Sequence, residues 1–161
     1  MTWTLQKKIY RPTGERYSYD LATPTITGFF GDNRVLSNFY PRELVLYNIP
    51  FKTAEHAYVW HKSNDLAFRR MVLAARSPVE AKRIGRKVQL RADWEQVKLQ
   101  TMRIVLDAKF RDPQLRDFLL NTGFRYLEEL NTWDDRYWGV CGGLGKNHLG
   151  RQLMVVRESY R

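Results

Sequence analysis

Apolar residues recur at helical spacing through the middle of the chain, while alternation of apolar and polar positions is confined to short runs. Thr53 can cap a helix running to about Ser63, and Asp65 one from Leu66 to Ala75. Ser77-Pro78-Val79-Glu80 is a capping box with proline at the first helical position, and Gly85 can close the helix it opens. Asp93-Trp94-Glu95-Gln96 opens another of the same kind, with Trp94, Val97, Thr101, Ile104, Val105 and Ala108 at helical spacing. Asp112-Pro113 starts a fifth that ends near Gly123. A final helix begins near Asn147, with Leu149, Leu153, Val156 and Tyr160 on one face. Strands are predicted at Ile26 to Phe30, at Glu43 to Ile49 with Pro50 ending it, and at Phe124 to Leu127. Leu36 to Pro41 reads as a turn-rich loop. The sum is a compact α+β domain, predominantly helical with a few short strands. Residues 1–25 are polar and basic, with Pro12 and Pro24, and read as an N-terminal arm with at most a short strand. Residues 26–161 read as the domain.

Composition narrows the class. A chain of 161 residues, 43% hydrophobic and 27% charged, fits one soluble globular domain. No apolar run is long enough to span a membrane, and no apolar segment of signal-peptide type follows Met1. The single Cys141 excludes an internal disulfide and fits a reducing cytoplasm. A net charge of +10 favours anionic partners such as nucleotides or nucleic acid. The plainer alternative is a solvated basic surface. The cations cluster at Arg69-Arg70 and at Lys82, Arg83, Arg86, Lys87 and Arg91. His56, His61 and His148 sit in no metal-ligand spacing, so no metal is expected.

Two segments carry candidate chemistry. On a helix from Thr53, Glu55, Tyr58, Val59 and Lys62 share one face. A carboxylate, a phenol and an amine on one stripe can flank a ligand. The alternative is an ordinary exposed stripe, with Glu55 complementing the helix dipole. The second segment, Asn131 to Gly150, combines acids, aromatics, glycines and a lysine. Among Glu128, Glu129, Asp134 and Asp135, two carboxylates near a sugar could divide stabilisation of an oxocarbenium ion and proton handling. A solvated acidic loop is the better reading for Glu128 and Asp134. Trp133, Tyr137, Trp138 and Trp94 could stack a base, although Trp94 fits the core side of its helix. Gly142-Gly143-Leu144-Gly145-Lys146-Asn147 has the logic of an anion seat, glycine N–H groups followed by a helix N-terminus. It is not a Walker A sequence, since Asn147 follows the Gly-Lys pair, and a plain glycine turn is the alternative. No nucleophilic triad stands out, and Cys141 reads as a small loop residue.

These motifs, taken in order, resemble the NADAR family, also called YbiA-like. The resemblance runs through Leu36-Ser37-Asn38-Phe39-Tyr40-Pro41, Ala54-Glu55-His56-Ala57-Tyr58 with Lys62, and Pro78-Val79-Glu80-Ala81-Lys82-Arg83-Ile84-Gly85-Arg86. It continues through Asp93-Trp94, Met102, Ala108-Lys109-Phe110, Leu119 to Gly123, Asp135 to Gly139 and Gly145 to Gly150, covering residues 28–158. It implies a predominantly helical fold of the YbiA-like type and cleavage of an N-glycosidic bond between a base and ribose. Removal of ADP-ribose from guanine is the favoured reaction, on a nucleotide or in nucleic acid. Cleavage of the ribosylaminopyrimidine phosphates of early riboflavin biosynthesis is the alternative. By motif, Glu55, Lys62, Asp135 and Glu129 are the implied catalytic residues. Asn38, Phe39, Tyr58, Trp94, Trp138, Gly145, Lys146 and Asn147 are candidates for binding substrate. In many family members one residue fewer separates the acid at Glu129 from the Asp at 135. Lys62 could act as an ammonium on phosphate or hydroxyls. As a neutral amine it could form a Schiff base with the ribose. No cofactor and no membrane partner are expected. A non-catalytic nucleotide- or nucleic-acid-binding module is the rival class, fitting the charge and the interleaved aromatics.

Overall fold

The computed structural model describes residues 6–9 and 16–161, with side chains from Tyr17 onward. The fold is α+β and predominantly helical. Its order is β1 (Gln6–Ile9), β2 (Arg16–Tyr19), β3 (Ile26–Thr27), a 3-10 helix (Gly31–Leu36), β4 (Leu44–Leu46), β5 (Ile49–Phe51), α1 (Ala54–Trp60), α2 (Leu66–Ala74), α3 (Pro78–Lys87), α4 (Trp94–Lys109), α5 (Pro113–Asn121), β6 (Leu127–Glu128) and α6 (His148–Ser159). Two compact units result, one of residues 1–36 and 112–161, the other of residues 37–111.

The first unit is built on α6. An amphipathic helix was expected, yet every residue from His148 to Arg157 except Arg151 is buried. A helix apolar around most of its circumference belongs inside a core. It contacts β2, α5 and β6, and β6 pairs in parallel with β3. Of the stretch read as an arm, Arg16–Tyr19 is a strand paired with β1, and Tyr17, Ser18 and Tyr19 are buried. Arg157 is fully buried and donates to Thr122 Oγ1 at 2.7 Å, to the Arg125 carbonyl at 2.9 Å and to the Ser18 carbonyl at 3.3 Å. Burial pulls its pKa down to about 10.

In the second unit α1 is central. Ala54 to Val59 are all buried, and α2, α3 and α4 surround the helix. Thr53 caps it as predicted, accepting from the His56 N–H, and Thr53 Oγ1 also lies 2.8 Å from His56 Nδ1. Val59, Phe68 and Val72 form a core cluster with Trp60, Ile84 and Val88 against it. Four local expectations change. The segment Glu43 to Ile49 is a hairpin, reversed at Tyr47 and Asn48 with φ of 53° and 61°, the left-handed pair a two-residue turn requires. Pro50 lies within β5, where a two-stranded edge tolerates a missing N–H. Asp93 makes no side-chain cap, because Arg91 holds its carboxylate at 2.5 and 2.9 Å. Gly85 does not close α3, which continues to Lys87. A Cβ there would lie 2.6 Å from Val59 Cγ1, so the glycine admits α1 to close approach.

Candidate functional site

The sequence candidates divide between the two units. Asn38, Phe39, Glu55, Tyr58, Lys62 and Trp94 belong to one; Glu129, Asp135, Trp138, Gly145, Lys146 and Asn147 belong to the other.

In the second unit the α1 stripe is not an exposed one. Glu55 is 9% and Tyr58 6% exposed, and Lys62 is half-buried just past the helix end. The Glu55 N–H donates to the Asn38 carbonyl at 3.0 Å, which seats the loop of residues 37–40 on the first turn of α1. That loop is anchored from α4, where buried Lys109 donates to the Ser37 carbonyl at 2.7 Å. The Asn38 amide nitrogen lies 3.3 Å from Met102 Sδ. Its Oδ1 is buried and meets no donor among the described residues. A buried acceptor in that state costs about 1–3 kcal/mol, so it suits a donor brought by a ligand. Trp94 is 5% exposed and its ring centroid lies 5.3 Å from that of Tyr58. It therefore backs Tyr58 from the core side. Lys62 Nζ lies 5.9 Å from the Tyr58 ring centroid. Burial lowers the Lys62 pKa below the ordinary lysine value. Glu55 opposes the shift, while Lys82 and Arg86 add to it. A lysine that gives up its proton more readily than usual can serve as nucleophile or proton carrier.

In the first unit the side chains of Asn131, Asp135 and Asn147 bond backbone groups. Asn147 is buried in the left-handed conformation, φ 52°. Its Oδ1 accepts from the Glu129 N–H at 3.0 Å, and its Nδ2 donates to the Leu127 carbonyl at 2.8 Å and to the Tyr126 hydroxyl at 3.2 Å. The side chain thus ties the entry of α6 to β6 and fixes the backbone of Glu129. Asp135 Oδ1 accepts from the N–H groups of Tyr137 and Trp138, at 3.2 and 2.9 Å. Asn131 brackets Asp135 on both sides, accepting from its N–H at 3.0 Å and donating to its carbonyl at 2.7 Å. Trp138 is half-buried, edge-on to Tyr137 with centroids 4.9 Å apart.

The glycine segment expected to seat an anion packs against the loop that precedes it. Gly142 and Gly143, with φ of 59° and 77°, reverse a tight turn closed by paired hydrogen bonds between Cys141 and Leu144. The N–H groups of Lys146, Asn147, His148 and Leu149 bond the carbonyls of Arg136, Gly139, Tyr137 and Trp138. Donors that an anion would need at the start of α6 are therefore engaged by the preceding loop. Gly145 serves close approach instead, since a Cβ there would lie 2.1 Å from the Gly139 carbonyl. Trp133 and Asp134 are exposed, and Asp134 pairs with Arg136 at 2.7 Å.

Lys82, Arg86, Lys109 and Asn131 were not among the predicted site residues. The first two were visible as an i, i+4 basic pair. Lys109 stood within the Ala108-Lys109-Phe110 motif and Asn131 opened the loop segment, but nothing in the sequence marked either for its contacts. Among the described residues no group of His, Cys, Asp and Glu is placed to hold a metal ion, and no helix is long and apolar enough to cross a membrane.

A helical α+β scaffold that buries an acid and a phenol on one short helix, with a partly desolvated lysine just past its end, defines a candidate enzyme. The NADAR domain model matches residues 29–161, and the chain belongs to that family. It is 41% identical over 133 residues to an N-glycosidase of Nostoc punctiforme, covering 78% of this chain and 84% of the relative. The NMR structure of the Escherichia coli protein YbiA superposes with a TM-score of 0.78 at 36% identity, covering 85% of this chain and 84% of that one. A Vibrio vulnificus protein named as a riboflavin biosynthesis protein is 36% identical over 76% of this chain, which spans only 34% of that relative.

Proposed function

We propose that this chain is an N-glycosidase that removes ADP-ribose from guanine, with Lys62 as the nucleophile. The observation that carries the reading is the placement of Lys62: half-buried, beside the Tyr58 ring, on the stripe that holds buried Glu55. Burial favours the neutral amine. In the first step Lys62 Nζ bonds to the ribose anomeric carbon, and the bond from that carbon to the base nitrogen breaks. The electron pair leaves with the base. The proton released from Nζ passes through Glu55 to the departing nitrogen. The glycosylamine opens to a Schiff base, and water then releases the free sugar and restores the amine. Phe39 is proposed to meet the base, and Asn38 Oδ1 to accept from the substrate.

The ADP-ribosyl reading is supported by the net charge of +10, which suits a diphosphate on a nucleotide or within nucleic acid. A second reading, cleavage of the ribosylaminopyrimidine phosphates of riboflavin biosynthesis, is favoured by the name of the Vibrio vulnificus relative. Turnover of an oligonucleotide carrying ADP-ribosylated guanine, beside that of the pyrimidine phosphate, separates them. Release of ADP-ribose is the expected result; cleavage of the pyrimidine alone overturns the first reading in favour of the second. Binding without cleavage of either moves the protein to the class of nucleotide-binding modules. Borohydride reduction during turnover is expected to fix the sugar on Lys62. Full activity of Lys62→Arg, which keeps charge but not nucleophilicity, eliminates the Schiff base and leaves carboxylate-assisted water.

A further inference from the structure

With the N–H groups of residues 146–149 engaged by the preceding loop, the anionic part of the substrate needs cationic side chains for its seat. In both candidate substrates the reacting ribose carries phosphate on its 5′ oxygen, five bonds from the anomeric carbon. The seat must therefore lie beside Lys62. The stem of Lys62 crosses α3 at Gly85, where a Cβ would come within 3.5 Å of Lys62 Cδ. Lys82 and Arg86 flank that crossing, one helical turn apart on the same side of α3. Lys82 is half-buried, with Nζ 5.5 Å from the Phe39 ring centroid. Both cations act electrostatically on Lys62.

We propose that Lys82 and Arg86 form the phosphate seat of the site, holding the 5′-phosphate of the ribose whose anomeric carbon meets Lys62. This rests on the N-glycosidase reading for its purpose, but the seat is a binding site in its own right. The pair does two things with one placement. It holds the phosphate by charge-assisted hydrogen bonds, and its two charges disfavour a third on Lys62. Filling the seat with a dianion cancels part of that repulsion, so proton affinity rises at Lys62 once substrate is bound.

The test is binding of ribose 5-phosphate, which has no N-glycosidic bond, to wild type and to Lys82→Gln, Arg86→Gln and the double variant, by calorimetry. Each single change is expected to weaken binding about 10- to 100-fold, and ribose without phosphate is expected to show no such difference. Arg86→Lys and Lys82→Arg, which keep the charge, should retain most of the affinity and confirm the fold. Equal affinity in wild type and the double variant overturns the seat, even if the enzyme cleaves its substrate. Loss of affinity in a protein that cleaves nothing keeps the seat and overturns the catalytic reading instead. A second readout is the acid limb of the rate against pH. The charged groups acting on Lys62 are Glu55 on α1 and Lys82 and Arg86 on α3. Removing Arg86 raises the Lys62 pKa, so the acid limb should move to higher pH; an unmoved limb rejects the coupling.

Discussion

The loop from Asn131 to Gly150 and the helix from Ala54 to Trp60 are both dense in polar and aromatic side chains, but those groups end in opposite states. In the loop, Asn131, Asp135 and Asn147 hold backbone N–H and carbonyl groups, and the first donors of α6 are bonded to residues 136–139. Around the helix, Asn38 Oδ1 is buried with no donor among the described residues, and Lys62 is desolvated with other cations near it. The loop's polar groups stabilise the fold. Asn38 Oδ1 and Lys62 are held at some cost to stability, the usual mark of a site kept for a ligand. Residue type alone does not separate the two cases. An accounting of hydrogen-bond partners does.

The largest effect expected from breaking this contrast is at Lys62. Lys62→Ala and Lys62→Arg should both lower kcat by about 10³-fold or more if the amine is the nucleophile. Thermal denaturation should show the melting temperature of Lys62→Met unchanged or raised, because a desolvated amine is replaced by an apolar chain of similar length. The pH dependence has a defined sign. The folded pKa lies below that of the unfolded chain, so between the two values the unfolded state binds more protons and stability rises with pH. Lys62→Met should remove that slope. A variant that loses activity and stability together would make Lys62 structural.

Asn147 should behave in the opposite way. Asn147→Ala removes three hydrogen bonds, two of them to backbone and the one to the Leu127 carbonyl buried, from a residue at φ 52°. A loss of about 2–4 kcal/mol in urea denaturation is expected. Asn147→Asp should recover part of the loss, keeping the acceptor for the Glu129 N–H and losing the donor to Leu127. If Asn147→Ala were as stable as wild type yet failed to bind substrate, the side chain would be a ligand contact and the contrast would weaken.

The same accounting explains what could be read from the chain. Helix starts at Thr53, Asp65, Ser77 and Asp112 were legible because capping is local: each side chain accepts from an N–H two or three residues on. The stripe of Glu55, Tyr58 and Lys62 was legible from periodicity, and its burial was not, since that depends on three helices surrounding α1. The role of Gly85 was misread for the same reason. A glycine near a helix end suggests a stop, and only the position of Val59 shows that it makes room. The state of the α6 donors was not legible, because a glycine turn before a helix looks identical whether those donors face solvent or the carbonyls of residues 136–139.

Gly85 gives a sharper probe of how the Lys62 stem is placed. Gly85→Ala puts a methyl 2.6 Å from Val59 Cγ1, so a loss of about 1–3 kcal/mol is expected from overpacking. Combining it with Val59→Ala should recover part of that loss, and a double-mutant cycle should show coupling of at least about 0.5 kcal/mol. Additive effects would mean that α1 and α3 shift apart freely and that the glycine is not what sets their approach.

The smallest effect is expected where the sequence drew most attention. Lys146 is exposed, its Nζ 5.7 Å from the Tyr137 ring centroid. Its own N–H bonds the Arg136 carbonyl. A seat for phosphate at this turn would need several convergent N–H groups in addition to the lysine charge, and those of residues 146–149 are engaged. Lys146→Ala should therefore change the affinity for ribose 5-phosphate by less than about twofold, the scale of an exposed charge screened by salt. Calorimetry at two salt concentrations is the measurement. A loss matching that of Arg86→Gln would return the phosphate to the glycine turn, requiring that loop to release the carbonyls of Arg136, Tyr137, Trp138 and Gly139 on binding. Protection of the His148 and Leu149 amides from hydrogen exchange, with and without ribose 5-phosphate, would then decide between them. Unchanged protection keeps the turn as scaffold, because an anion cannot take donors that remain bonded to carbonyls.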